Sequence, residues 1–219
     1  MAWSDFTAGL FTSGQILTAA QLNTYVRDNL VAGGPIYATE AARNAAITSP
    51  FEGQRAYITG STITAPTGNI TAAPTGIQTI YNGSAWVCVT PIYAGSSISG
   101  TKTTTGYQNT LTGDATVIAV TVATGTTALV SIGGMGTNSA AGVTQYMAVS
   151  VSGATTIAAA DANGVYGGDG SAGIATPLSR QFVITGLTAG NNTFTLQYNT
   201  NSTSTATFIN RSLKVVGIA

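Results

Sequence analysis

The stretch NTFTLQYN, residues 192–199, decides the fold. Phe194, Leu196 and Tyr198 point one way and Thr195 and Gln197 the other, which is the period-two alternation of a strand with one buried face. Segments of the same length recur on both sides of it. They are ATVIAVTVA (115–123), TTALVSIGG (126–134), TQYMAVSVSG (144–153), RQFVITGL (180–187) and ATFINRSLKVVGI (206–218). Turn signals separate them at Thr112-Gly113-Asp114, Thr124-Gly125 and Ala189-Gly190-Asn191. Short strands at regular spacing predict an antiparallel sandwich or jelly roll from residue 92 to residue 219.

Two strands break the simple alternation. In ATVIAVTVA, Ile118, Val120 and Val122 share one face, while Val117 and Ala119 lie on the other. A strand apolar on both faces is covered on both faces. In one small sandwich the second cover is expected to be another subunit, and Ile118, Val120 and Val122 are assigned to that interface. In the last strand, Arg211 shares a face with Ile209, Leu213 and Val215 by strict alternation. Either a bulge shifts the register, or Arg211 points inward to an acid or a group of carbonyls. The inward option would suit a subunit interface, so Arg211 joins the candidates there.

Upstream the pattern differs. TAAQLNTYVRDNL (Thr18 to Leu30) opens with a Thr18/Gln21 capping box, and Leu22, Tyr25, Val26 and Leu30 form one helical stripe. Gly33-Gly34-Pro35 stops the helix by residue 31. A helix this short is marginal alone in water, so it must dock its stripe on something. Asn29 lies within the stripe. It either fixes register or copy number, as polar residues do in coiled coils, or is tolerated near a frayed end. A second short helix is expected in TEAARNAAI (39–47), capped by Thr39 and closed by Pro50. RAYIT (55–59) and TIYNGSAWVCV (79–89) read as strands, with Asn82-Gly83 as a hairpin turn. Between them TITAPTGNITAAPTG (62–76) carries two Pro-Thr-Gly turns and is expected to be an irregular loop or exposed excursion.

The chain has 219 residues, seven Lys or Arg, seven Asp or Glu and zero formal charge. Charged residues are 6%, against roughly 25% in ordinary domains. A neutral surface cannot displace the counterions of nucleic acid, so no nucleic-acid partner is expected. Such a surface suits a packed assembly or an exterior. No apolar run is long enough to cross a membrane, and MAWSDFTAGL has neither the basic nor the apolar part of a signal peptide. Cys88 is the single cysteine and reads as a buried small hydrophobe.

There is no histidine, which removes Ser-His-Asp and Cys-His catalysis and His-containing zinc sites within the chain. Asp5, Asp28, Glu40, Glu52, Asp114, Asp161 and Asp169 are scattered. No enzyme, metal or cofactor is expected. Gly168 to Gly173 matches the dinucleotide-loop pattern, but Ile174-Ala175-Thr176-Pro177 follows where a helix should begin, so it reads as a loop. Asp161, Asn163 and Asp169 could offer oxygens to a hard cation, or belong to a polar surface loop. Tyr107, Tyr146 and Tyr166 could stack on sugars, or sit in a core or interface.

Three segments together resemble virion proteins of tailed bacteriophages. Trp3 with Gly14-Gln15-x-Leu17-Thr18-Ala19-Ala20-x-Leu22-Asn23-x-x-Val26-Arg27-Asp28-Asn29-Leu30 is similar to the start of minor structural and tail-fibre proteins, especially of actinobacterial phages. ATEAARNAAITSPFEGQRAYIT with TIYNGSAWV resembles a small helix-and-hairpin module of the same proteins; here the Pro-Thr-Gly segment splits it. The end, GLTAGNNTFTLQYNTNSTSTATFINRSLKVVGIA, is similar to the last strands of fibre and head-fibre domains with a trimeric jelly roll like that of tumour necrosis factor.

The resemblance implies a mainly β virion structural protein of fibre or decoration type. It would be a homotrimer on the particle exterior, assembled in the bacterial cytoplasm. Residues 1–34 would be the anchor, binding a capsid or tail protein through Trp3, Phe6, Leu22, Tyr25, Val26, Asn29 and Leu30. Residues 35–91 would form a small α+β neck and 92–219 the jelly roll. The alternative is a host-receptor module gripping cell-wall glycan through a distal loop with Asp161, Asn163, Tyr166 and Asp169.

Overall fold

A computed structural model describes residues 34–60, 66–72, 74–168 and 171–219. The expected helix at Thr18 to Leu30, every anchor residue assigned above, and Asp169 lie outside the described residues.

Among the described residues, the segment before residue 92 builds a small sheet with one helix. Strand β1 is Ile36–Tyr37, helix α1 is Glu40–Ala46 and β2 is Arg55–Ile58. Thr39 caps α1 as its sequence predicts, its hydroxyl accepting from the Ala42 amide at 3.1 Å. Strand β3 is Ile70–Ala72, β4 is Ile77–Tyr81 and β5 is Trp86–Cys88. The sheet order is β1-β2-β4-β5. In the β4–β5 turn the Asn82 side chain accepts from the Ser84 and Ala85 amides, and Gly83 takes φ +89°.

The Pro-Thr-Gly segment departs from expectation. Its described part is no loose excursion: β3 leaves the small sheet and pairs antiparallel with β6 (Ile92–Ser96) of the larger assembly. Thr67 also bridges to Ala119, with backbone bonds of 2.9 and 3.1 Å. Pairing satisfies backbone groups that a turn-rich reading leaves to solvent.

Beyond β6 come β7 (Gly100–Lys102), β8 (Ala119–Thr124), β9 (Thr127–Asn138), β10 (Gln145–Gly153), β11 (Gly164–Gly167), β12 (Thr176–Thr185), β13 (Gly190–Thr200) and β14 (Ala206–Ile218). One sheet runs β11-β10-β13-β8. The other runs β12-β9-β14-β6-β3, with β7 continuing the line of β6 along β14. All pairs in both sheets are antiparallel, and most consecutive strands change sheet. This is a jelly-roll sandwich, and the chain is mainly β.

The core lies between the sheets. Phe194 pairs in register with Val120 and Val151, Leu196 with Val149, and Tyr198 with Met147, and all are buried. Opposite them stand Val130, Ile132, Leu178, Phe208, Leu213 and Val215. Burying one such side chain contributes about 1.5–3 kcal/mol. Here the assignment of Ile118, Val120 and Val122 to a subunit interface is corrected. Each is 0% exposed within the single chain, enclosed between its own two sheets. The outward residues of β8 are Ala119, Thr121 and Ala123. The small sheet packs on the sandwich through Gly217, where a Cβ would lie 2.5 Å from Val87 Cγ1 and 2.7 Å from the Cys88 carbonyl oxygen.

Candidate functional site

Three places gather polar chemistry. The first is internal. Strand β14 bulges between Ile209 and Ser212, with Asn210 at φ +50°. The bulge flips the alternation: Ala206 and Phe208 face inward before it, Arg211 and Leu213 after it. The two readings of Arg211 are therefore both realised, because the bulge is what turns it inward. Arg211 is 1% exposed and forms an ion pair with Asp114. It donates also to the Tyr198 hydroxyl at 3.1 Å and the Ile98 carbonyl at 3.0 Å, where β6 breaks before β7. The Ser96 hydroxyl donates to Asp114 at 2.6 Å and the Thr116 amide at 2.9 Å. Burial by itself raises the Asp114 carboxyl; the bonds from Ser96, Thr116 and Arg211 outweigh it and bring the pKa down to about 2. As Arg211 is buried and paired with Asp114 inside its own chain, its proposed place in a subunit interface is also corrected.

The second place is the outer face of the four-stranded sheet. Tyr166, Tyr146 and Asn199 are register partners across β11, β10 and β13. Tyr146 and Tyr166 have ring centroids 5.8 Å apart, and Tyr166 is 67% exposed. Tyr107 completes the group from the loop after β7. Its hydroxyl donates to Asp161 Oδ1 at 2.6 Å, and the neighbouring Gly106 amide donates to Asn199 Oδ1 at 2.7 Å. Burial, then the Asp161 bond, pushes the Tyr107 phenol up, so it stays a donor. Asp161 and Asn163 lie in a short 3-10 turn, which Arg180 holds down by donating to the Ala162 and Gly164 carbonyls at 3.2 and 2.6 Å. The rest of this face is hydroxyl and amide: Gln197 donates to Ser150 at 2.7 Å, and Thr121 bonds Thr193 at 2.8 Å. Aromatic faces beside neutral donors and acceptors are the chemistry that receives sugars.

The structure thus brings Asp161 and Tyr166 to one end of one face. Their companions Tyr107 and Tyr146 are joined by Asn199, which the sequence reading did not single out; its position in the β13 alternation carried the signal. Among the described residues no three His, Cys, Asp or Glu side chains converge as metal ligands. The described part of the Gly168 to Gly173 run leads into strand β12 and not into a helix.

The third place is a cleft of about 430 Å³ between the small sheet and the sandwich, lined by Arg43, Asn44, Trp86 and Asn191 among others. Arg43 sits 4.4 Å over the Trp86 ring and donates to Thr79 at 3.1 Å and Asn44 at 2.9 Å. Burial lowers its pKa to about 10. With its guanidinium spent on neighbours, Arg43 joins helix to hairpin.

No protein-family model and no curated protein sequence matches the chain. Solved structures similar to it include Eiger TNF from S. frugiperda, at 13% identity and TM-score 0.35, covering 47% of this chain and 65% of that one. The VP2 subviral particle of infectious bursal disease virus has 15% identity and TM-score 0.43, covering 69% of this chain and 38% of that one. The Gx strain of the same virus has 12% identity and TM-score 0.41, covering 64% and 41%. The chain spans less than two thirds of each of these chains.

Proposed function

We propose that this protein is a virion structural protein of a tailed bacteriophage, of fibre or decoration type. Residues 1–34 attach it to a capsid or tail protein, and the jelly roll stands outward as a homotrimer. The order of the three resembling segments along the chain supports the family. The observation that carries the assembly is on the outer face of the larger sheet. There Val183, Leu129 and Val216 form one apolar row across β12, β9 and β14, and Pro177, Met135 and Ile209 form a second. Val183 is 49% exposed and Met135 38%. On a chain of zero net charge, apolar rows flanked by Ser131, Thr127 and Ser212 suit burial against another copy.

The work is binding and mechanical stability, without chemistry. Asp114 is tied to Arg211, and the chain has no histidine. Sedimentation equilibrium of the full chain should give a trimer, and Val183→Lys, on an exposed edge strand, should give monomers that keep the fold. An unchanged trimer in that variant sinks the interface. A chain lacking residues 1–34 should remain a folded trimer but no longer join particles; incorporation of the truncated chain defeats the anchor.

The tyrosine face favours a second reading, adhesion to host cell-wall glycan at the tail tip. A glycan array with the trimer separates the two: binding that Tyr166→Ala abolishes supports adhesion, and no binding at high concentration removes it.

A further inference from the structure

Few cations serve this chain, and most have a visible task. Arg43 stacks on Trp86, Arg180 holds two carbonyls, Arg211 pairs with Asp114, and Lys214 lies exposed on β14. Lys102 is different. It ends β7 facing the interior side of the sheet, in register with Ala206, and is 3% exposed. Its ammonium donates to Thr104 Oγ1 at 3.1 Å and Gln108 Oε1 at 2.9 Å, both neutral. An ammonium carries three donors. Among the described residues no carboxylate pairs with it. A covered cation without an anion is costly to keep.

The space around it is rich in hydroxyl groups. A cavity of about 300 Å³ is lined by Lys102, Gln108, Leu111 and the hydroxyl residues Thr101, Thr103, Thr104, Thr110 and Thr112. Its rim is fixed: Thr101 and Thr112 exchange backbone bonds of 2.8 and 2.9 Å, and Gln108 exchanges bonds of 3.0 and 2.8 Å with Tyr198. Gly100 lets the turn close, since a Cβ there would lie 2.6 Å from Leu111 Cβ. One positive charge at the wall, surrounded by hydroxyl donors, matches a tetrahedral oxyanion better than a neutral sugar.

We propose that the Lys102 loop, residues 101–112, is a binding site for a phosphate group, either free or esterified to a small polyol. Lys102 supplies the charge, and the threonine hydroxyls donate to the remaining oxygens or meet the polyol. The site lies beyond the assembly reading and does not depend on it.

The test is an amide-detected NMR titration of the full chain with inorganic phosphate, glycerol 3-phosphate and, as controls, glycerol and sodium chloride at matched ionic strength. The site gives saturable shifts confined to residues 101–112 with a phosphate ligand and none with the controls. Tighter binding of glycerol 3-phosphate identifies the ester as the source; equal affinities identify the free ion. Lys102→Gln should weaken binding by about 10-fold or more, the worth of one charge-assisted bond. Thr110→Val, an exposed lining position, should weaken it by a few fold while leaving Lys102 in place, and keeps the test decisive should Lys102→Gln fail to fold. No saturable shift with either phosphate ligand, or the same affinity in both variants as in wild type, overturns the proposal.

Discussion

Replacing Asp114 by alanine leaves Arg211, 1% exposed, with a buried charge and, among the described residues, only the neutral Tyr198 and Ile98 oxygens as hydrogen-bond partners. Removing one member of a buried ion pair costs about 3–5 kcal/mol. For a chain of this size that lowers the melting temperature by roughly 6–20 °C. The effect should be read by urea and thermal unfolding at one fixed protein concentration, because association also shifts apparent stability. The double variant Asp114→Leu with Arg211→Met removes both charges and should recover most of the loss. Acid supplies an independent reading. The Asp114 carboxyl is held down from 3.8 to about 2, so the folded chain binds this proton less tightly than the unfolded one. The stabilisation is complete above the unfolded value and is lost as pH falls from about 4 through about 2, on the order of 2 kcal/mol in all. The double variant should lack that component. A loss below about 1 kcal/mol in Asp114→Ala, or a double variant worse than the single one, would show that the pair does not organise the β6–β7 break.

Three further outcomes follow from single positions. Burial raises the Cys88 thiol to about 11, so the native protein at pH 8 should resist a disulfide reagent that labels the urea-unfolded chain; rapid native labelling contradicts the burial. Asn210 holds φ +50° at the bulge, so Asn210→Gly should be near neutral while Asn210→Val costs about 1–2 kcal/mol in urea unfolding; equal effects would mean the bulge is not fixed there. Gln145 is 0% exposed and, among the described residues, neither side-chain polar atom has a partner, so Gln145→Met should raise stability by about 1 kcal/mol; a fall would show that the amide is satisfied in solution.

The strands were legible where one face is buried and the other is hydroxyl-rich, as in β13 and β10. Strand β12 begins at Thr176, earlier than its apolar run, because Pro177 is tolerated on a sheet edge. Arg211 could be seen to conflict with its strand, but one extra residue in β14 and the break between β6 and β7 are set by long-range pairing. Alternation says which residues share a face, and not which of two faces a neighbour in the same chain will cover. That is why alternation alone assigns Ile118, Val120 and Val122 to a partner while the exposed apolar rows lie on the other sheet. The short β3 is not legible in the sequence because its Pro-Thr-Gly borders carry the turn signal more strongly than three residues can carry a strand. The tyrosine face was half legible: the side chains were visible, and only the register of β10, β11 and β13 shows that they meet.

The central proposal is that this protein is part of a virus particle. Immunogold electron microscopy on intact phage particles purified from cells that make the chain tests this proposal directly. The account predicts label on the particle exterior, over the capsid for a decoration or head-fibre role and at the tail tip for adhesion. Purified, infectious particles that carry no label, with the protein recovered only from the cell lysate, would contradict it.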